Sequence, residues 1–78
     1  MRPGGYQATY GDARRLMRRV VALVHEGDKL RYTHVASLQV EQLNLQIFAS
    51  GYPDDAACPY YPAVVKQYQI AERLCGGY

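Results

Sequence analysis

Between Gly11 and Gly27 the apolar residues recur at helical spacing. Ala13, Leu16, Met17, Val20, Leu23 and Val24 make one continuous stripe, and Arg14, Arg15, Arg18 and Arg19 fill the first half of the opposite face. The pattern predicts an amphipathic helix. Its entry is marked by Thr9 and Asp12: either Thr9 caps while Asp12 reaches back, or Asp12 is itself the N-cap. Gly27 is placed to close it, with His25 in the last turn.

After a polar connector at Asp28–Tyr32 the pattern supports two readings. Leu30, Tyr32, His34, Ala36, Leu38 and Val40 alternate as in a strand, and Leu43, Leu45, Ile47 and Ala49 alternate with opposite parity. A hairpin over about 30–49 would need a turn near Ser37–Gln42, which contains no Gly, Pro, Asn or Asp. Ala36, Val40, Leu43 and Ile47 fall instead at spacings of four, three and four, with Phe48 beside them and Gly51 as a stop. This second pattern predicts two short helices, Thr33–Leu38 and Val40–Ser50, or one bent helix.

Gly51, Pro53 and Pro59 punctuate a loop over residues 51–61, kept polar by Asp54 and Asp55. Pro62 suits the first position of a further helix whose face is Val64, Val65, Tyr68, Ala71, Leu74 and Cys75, ended by Gly76-Gly77. Residues 1–8, with Pro3, Gly4 and Gly5, have no periodicity and are expected to form a flexible arm. The expected fold is mainly α, a single compact domain over 9–78 built as a small bundle of three to four helices. The alternative is an α+β fold with the hairpin at about 30–49.

Composition adds limits. A chain of 78 residues with 49% apolar content is one globular domain with a thin stability margin. No apolar run approaches the roughly 20 residues of a membrane span, and the N-terminus has no signal-like apolar core, so a cytoplasmic protein without membrane contact is expected. Cys58 and Cys75 are then two reduced thiols by default; oxidised, they would tie the loop to the end of the last helix. The net charge of +2 hides an asymmetry: residues 1–31 carry +4 and residues 32–78 carry −2.

The arginine cluster is the chemical feature that stands out. Cations in the N-terminal half of a helix oppose its dipole, and Arg14/Arg18 and Arg15/Arg19 are like-charge i,i+4 pairs, so the placement costs on the order of 1 kcal/mol. Asp54, Asp55, Glu41 or Glu72 folds back to compensate, or the arginines are simply a solvated face, or the guanidiniums meet a carboxylate-rich or phosphate-bearing partner. Tyr52, Tyr60 and Tyr61, three of eight tyrosines, lie in or beside the loop and suit a protein contact surface or a loop packed over the core. His25, His34, Cys58 and Cys75 lack the short spacings of a zinc site, and no nucleophile, carboxylate-pair or phosphate-loop motif is present. No metal, cofactor or catalytic residue is expected.

Residues 32–51, YTHVASLQVEQLNLQIFASG, resemble a helix-turn-helix. The resemblance implies a first helix ending at Val35-Ala36-Ser37-Leu38 and a second from Val40 to Phe48, with Leu45 and Phe48 turned inward. Gln42, Asn44 and Gln46 would then be the DNA-reading side chains. The chain departs from that pattern where Gln39 replaces the usual glycine, in a first helix one residue short, and in a Glu41 aimed at the DNA backbone. In size and character the chain also resembles small proteins of phages and mobile elements, including anti-CRISPR inhibitors and their regulators. That likeness implies a non-catalytic protein acting by stoichiometric contact on a nucleic-acid-handling complex. A helix-turn-helix-like DNA-binding regulator is the alternative. A pI near 8.6, below the values above 9 of typical DNA-binding domains, favours the protein partner.

Overall fold

The computed structural model describes residues 8–27 and 34–73. Within them the chain forms three helices and no strand: α1 (Tyr10–Gly27), α2 (His34–Phe48) and α3 (Tyr61–Ala71). The mainly α reading holds and the hairpin does not. Where two short helices or one bent helix were expected, a single helix runs through Leu38-Gln39-Val40 without a break. No residue there removes a backbone donor or demands a positive φ, so nothing interrupts the hydrogen-bond ladder.

α1 is the middle of the structure. It packs on both α2 and α3, which meet each other only marginally. Ala13, Met17 and Val20 of its stripe are fully buried, and Leu16, Leu23 and Val24 pack partly buried around them. α2 contributes Val40 and Ile47, with Ala36 and Leu43 half-buried; α3 contributes Val64 and Ala71, with Tyr68 and Ile70 alongside. Tyr10 joins this core although its position suggested only a helix entry. Leu74, Cys75, the Asp28–Tyr32 connector and residues 1–7 lie outside the described residues.

The start of α1 is held twice. Locally, Thr9 is the cap: the Asp12 N–H donates to Thr9 Oγ1 at 3.3 Å and the Thr9 N–H donates to Asp12 Oδ2 at 3.1 Å. This is a reciprocal capping box with Asp in the role usually taken by Glu. From far along the chain, the Tyr10 N–H donates to Ala56 O and the Gly11 N–H to Asp54 O, each at 2.9 Å. The loop carbonyls thus satisfy two donors that a helix start leaves open. The Cys58 N–H donates to Ala8 O at 3.0 Å and Thr9 pairs with Ala57, so Ala8, placed in the flexible arm by sequence, belongs to the fold.

This latch explains Gly11. A Cβ there would stand 3.0 Å from Asp54 Cβ and 3.3 Å from the Asp54 O that accepts the Gly11 N–H. Gly11→Ala is therefore expected to lower stability by about 1 kcal/mol despite alanine's better helix propensity, read as a lower urea midpoint. An unchanged or raised midpoint would show that the loop yields freely.

α2 ends in a compact network. The Ser50 hydroxyl donates to Ile47 O at 2.9 Å and accepts from the Tyr52 N–H at 3.3 Å. Gly51 follows at φ +77°, a conformation that a side chain would strain. α3 begins with Pro62 in its first turn, where a missing N–H costs nothing.

Candidate functional site

The four arginines of α1 separate into two kinds. Arg14 borders the apolar stripe and is drawn inward, its side chain 14% exposed. It meets Asp54 Oδ1 at 2.5 Å, Tyr52 O at 2.9 Å, Ser50 Oγ at 3.3 Å and Ile47 O at 3.5 Å. Its guanidinium also stands 5.6 Å from the centre of the Tyr10 ring. Ile47 lies in the last turn of α2, so a cation misplaced in its own helix sits at the favourable, negative end of another. Of the carboxylates expected to fold back, Asp54 is the one that does. Arg14 thus acts as a structural tie between α1, the end of α2 and the loop after it.

Arg15 pairs along its own helix with Asp12 at 2.5 Å and remains 68% exposed. Arg18 and Arg19 are exposed. Among the described residues neither has a carboxylate partner; each lies over an aromatic ring instead. Arg18 is 5.2 Å from the centre of Phe48 on α2, and Arg19 is 5.6 Å from the centre of Tyr68 on α3. The Tyr68 hydroxyl in turn donates to Glu72 Oε2 at 3.2 Å, which fixes the ring beneath Arg19. A guanidinium that rests over a ring in place of a carboxylate keeps its N–H donors for a further acceptor. Arg15, Arg18 and Arg19 form a ridge along the solvent side of α1, with an aromatic ring on each flank.

The tyrosines also divide. Tyr52 is 57% exposed and stacks on Tyr10, ring centres 5.0 Å apart and planes 18° from parallel. Tyr60 is exposed at the start of α3. Tyr61 is half-buried and packs against the core, so it is not the exposed contact residue its loop position suggested. Burial pushes the Tyr10 phenol above its ordinary pKa, and the Cys58, Tyr60 and Tyr52 groups nearby act in the same direction.

The helix-turn-helix reading fails on geometry. The turn it needs is absent, and Leu45 and Phe48, expected inward, are 60% and 39% exposed. Gln42 and Gln46 face solvent, whereas Asn44 lines the groove between α1 and α2 with Val21, Val24 and His25. The three side chains do not share one reading face. What the pattern concealed is the outer side of α2. There Val35 at 63% and Leu38 at 47% exposure extend the line of Leu45.

Among the described residues no group of three or more His, Cys, Asp or Glu stands close enough to hold a metal. Cys58, within the 51–61 loop, is a buried free thiol. No described helix is long and apolar enough to cross a membrane. Compared with family models, with curated proteins and with solved structures, the chain matches none.

Proposed function

We propose that this protein is a non-catalytic binding module that grips a carboxylate-rich protein surface through the arginine ridge of α1. The observation that carries this reading is the pair of ring-backed guanidiniums, Arg18 over Phe48 and Arg19 over Tyr68, exposed on the middle helix of the fold. The ring contact restricts their rotamers before a partner arrives, so less entropy is lost when each closes a bidentate bond to a carboxylate. Tyr52 and Tyr60 are exposed elsewhere on the same small domain, and Arg and Tyr are the residues that most often anchor protein interfaces.

Phosphates are the weaker match. With Arg15 paired to Asp12 and Arg14 consumed internally, two of the four α1 guanidiniums remain without a described carboxylate. A protein that tracks a nucleic-acid backbone typically contacts roughly 6–10 phosphates. A partner that itself handles nucleic acid fits the size and character of the chain, and action by stoichiometric occupation fits a domain of 8.8 kDa.

The test is capture of a partner from a lysate of the native host, with and without nuclease, by the wild type and by Arg18→Glu/Arg19→Glu. Wild-type capture that resists nuclease and falls at least tenfold in the double variant, with an unchanged circular dichroism spectrum, is the expected result. Capture that vanishes with nuclease transfers the ridge to nucleic acid, and equal capture by the variant removes the ridge from the function.

A further inference from the structure

The residues that face solvent on α2 form a second seam. Val35, Leu38, Gln42, Leu45 and Ala49 are spaced three, four, three and four apart, and all are exposed. Ala49 continues the helical line, its N–H donating to Leu45 O at 2.8 Å. α2 is thus apolar on two sides: Val40 and Ile47 bury against α1, while the opposite side carries the spacing of a coiled coil.

We infer that α2 pairs with α2 of a second copy as a short parallel coiled coil. The seam is specific about its occupant. A β-branched Val35 falls at the position conventionally labelled a and Leu38 and Leu45 at d, which in a parallel pairing is the arrangement that favours two strands over three or four. Gln42 falls at the next a, so an in-register pair brings two Gln42 amides together across the axis, where each can satisfy the other; offset pairing would set an amide against leucine. Charge points the same way. α2 contains no Lys or Arg and one carboxylate, Glu41, and parallel pairing sets Glu41 opposite Gln46 of the second copy, not opposite another acid. On a domain of net charge +2 whose α1 ridge is cationic, this side, to which α2 itself adds no Lys or Arg, is where a second copy meets less like-charge repulsion than at the ridge.

The seam is short. Fifteen helical residues span about 22 Å, and such a pair buries on the order of 800 Å², below the roughly 1,200 Å² of a stable interface. The dimer is therefore a reversible one. Sedimentation equilibrium is expected to show the apparent mass rising from 8.8 kDa towards twice that value as concentration climbs from about 10 μM to about 1 mM. Leu38→Glu/Leu45→Glu is expected to stay monomeric throughout with an unchanged circular dichroism spectrum, since both side chains are exposed. Gln42→Cys under mild oxidant is expected to give a covalent dimer beyond the level formed by the wild type, whose Cys58 and Cys75 serve as the control.

A wild type that remains monomeric at 1 mM, or a dimer that survives the double Glu variant, overturns the pairing. A dimer without excess Gln42→Cys cross-linking overturns its register. Arg19→Glu, on the α3 side of the ridge, is expected to dimerise normally, so failure of the partner-capture test and failure of this one are separate outcomes.

Discussion

Met17→Ala is expected to remove about half or more of the stability of the fold at 25 °C. Met17 is fully buried in the middle helix and is among the largest side chains wholly enclosed by the core. Truncating such a residue costs about 2–5 kcal/mol through lost transfer energy and the cavity left behind. A domain of this size holds roughly 5 kcal/mol in reserve. With α2 and α3 scarcely touching each other, a void in α1 has no second interface to absorb it. Urea denaturation followed at 222 nm checks this, with Leu45→Ala as the internal reference. Leu45 loses a similar volume from a side chain that is 60% exposed, so its midpoint is expected to move by no more than about 0.5 kcal/mol in dilute solution. Equal losses at the two positions would mean that the core is not where the packing places it.

Arg14→Ala is expected to cost about 2 kcal/mol, and Asp54→Ala clearly less. Both remove the same ion pair, but the two partners stand in different surroundings. Asp54 is 77% exposed, so its share is that of a screened surface pair, about 0–1 kcal/mol. Arg14 also serves Ile47 O, Ser50 Oγ and Tyr52 O, which are left without their cationic donor when it goes. Thermal unfolding of the two variants at low and high salt separates the contributions. The Asp54→Ala loss should shrink at 1 M salt, whereas most of the Arg14→Ala loss should persist. Equal and equally salt-sensitive losses would reduce Arg14 to a surface charge.

How much of this the residues announce differs from element to element. The stripe of α1 is plain because one face is apolar and the other cationic, and each part of the expected face is buried or half-buried. The capping box is equally legible, since Thr9 and Asp12 carry its chemistry in their side chains. α2 is harder for a physical reason. Val35, Leu38 and Leu45 face outward and fill the positions where polar residues would mark the period, so helix and strand patterns overlap. What favoured the helix was the lack of any turn residue, and that proved the sounder signal. The same outward residues made the helix-turn-helix likeness, whose inward positions are the exposed ones here.

The division among the arginines is only half visible. Arg14 adjoins Tyr10 and Met17 on the helical net, which hints that it skirts the core, but two of its four acceptors are backbone carbonyls. Carbonyl oxygens belong to every residue and leave no trace in composition. The same holds for the loop contacts to Tyr10 and Gly11. Phe48 and Tyr68 beneath Arg18 and Arg19 required knowing how three helices lie side by side, which no local pattern contains.

The latch at the start of α1 has a consequence for how disturbance travels. Ala8, Tyr10 and Gly11 are bonded to Cys58, Ala56 and Asp54, and Arg14 reaches Asp54 across 40 positions of chain. The first turn of the central helix and the proline-bounded loop consequently open as one unit: neither can fray without stripping partners from the other. A cut or a covalent change in that outlying loop is felt first at the entry of α1, one turn before the ridge of guanidiniums. An exposed connection between α2 and α3 therefore governs the order of the innermost helix.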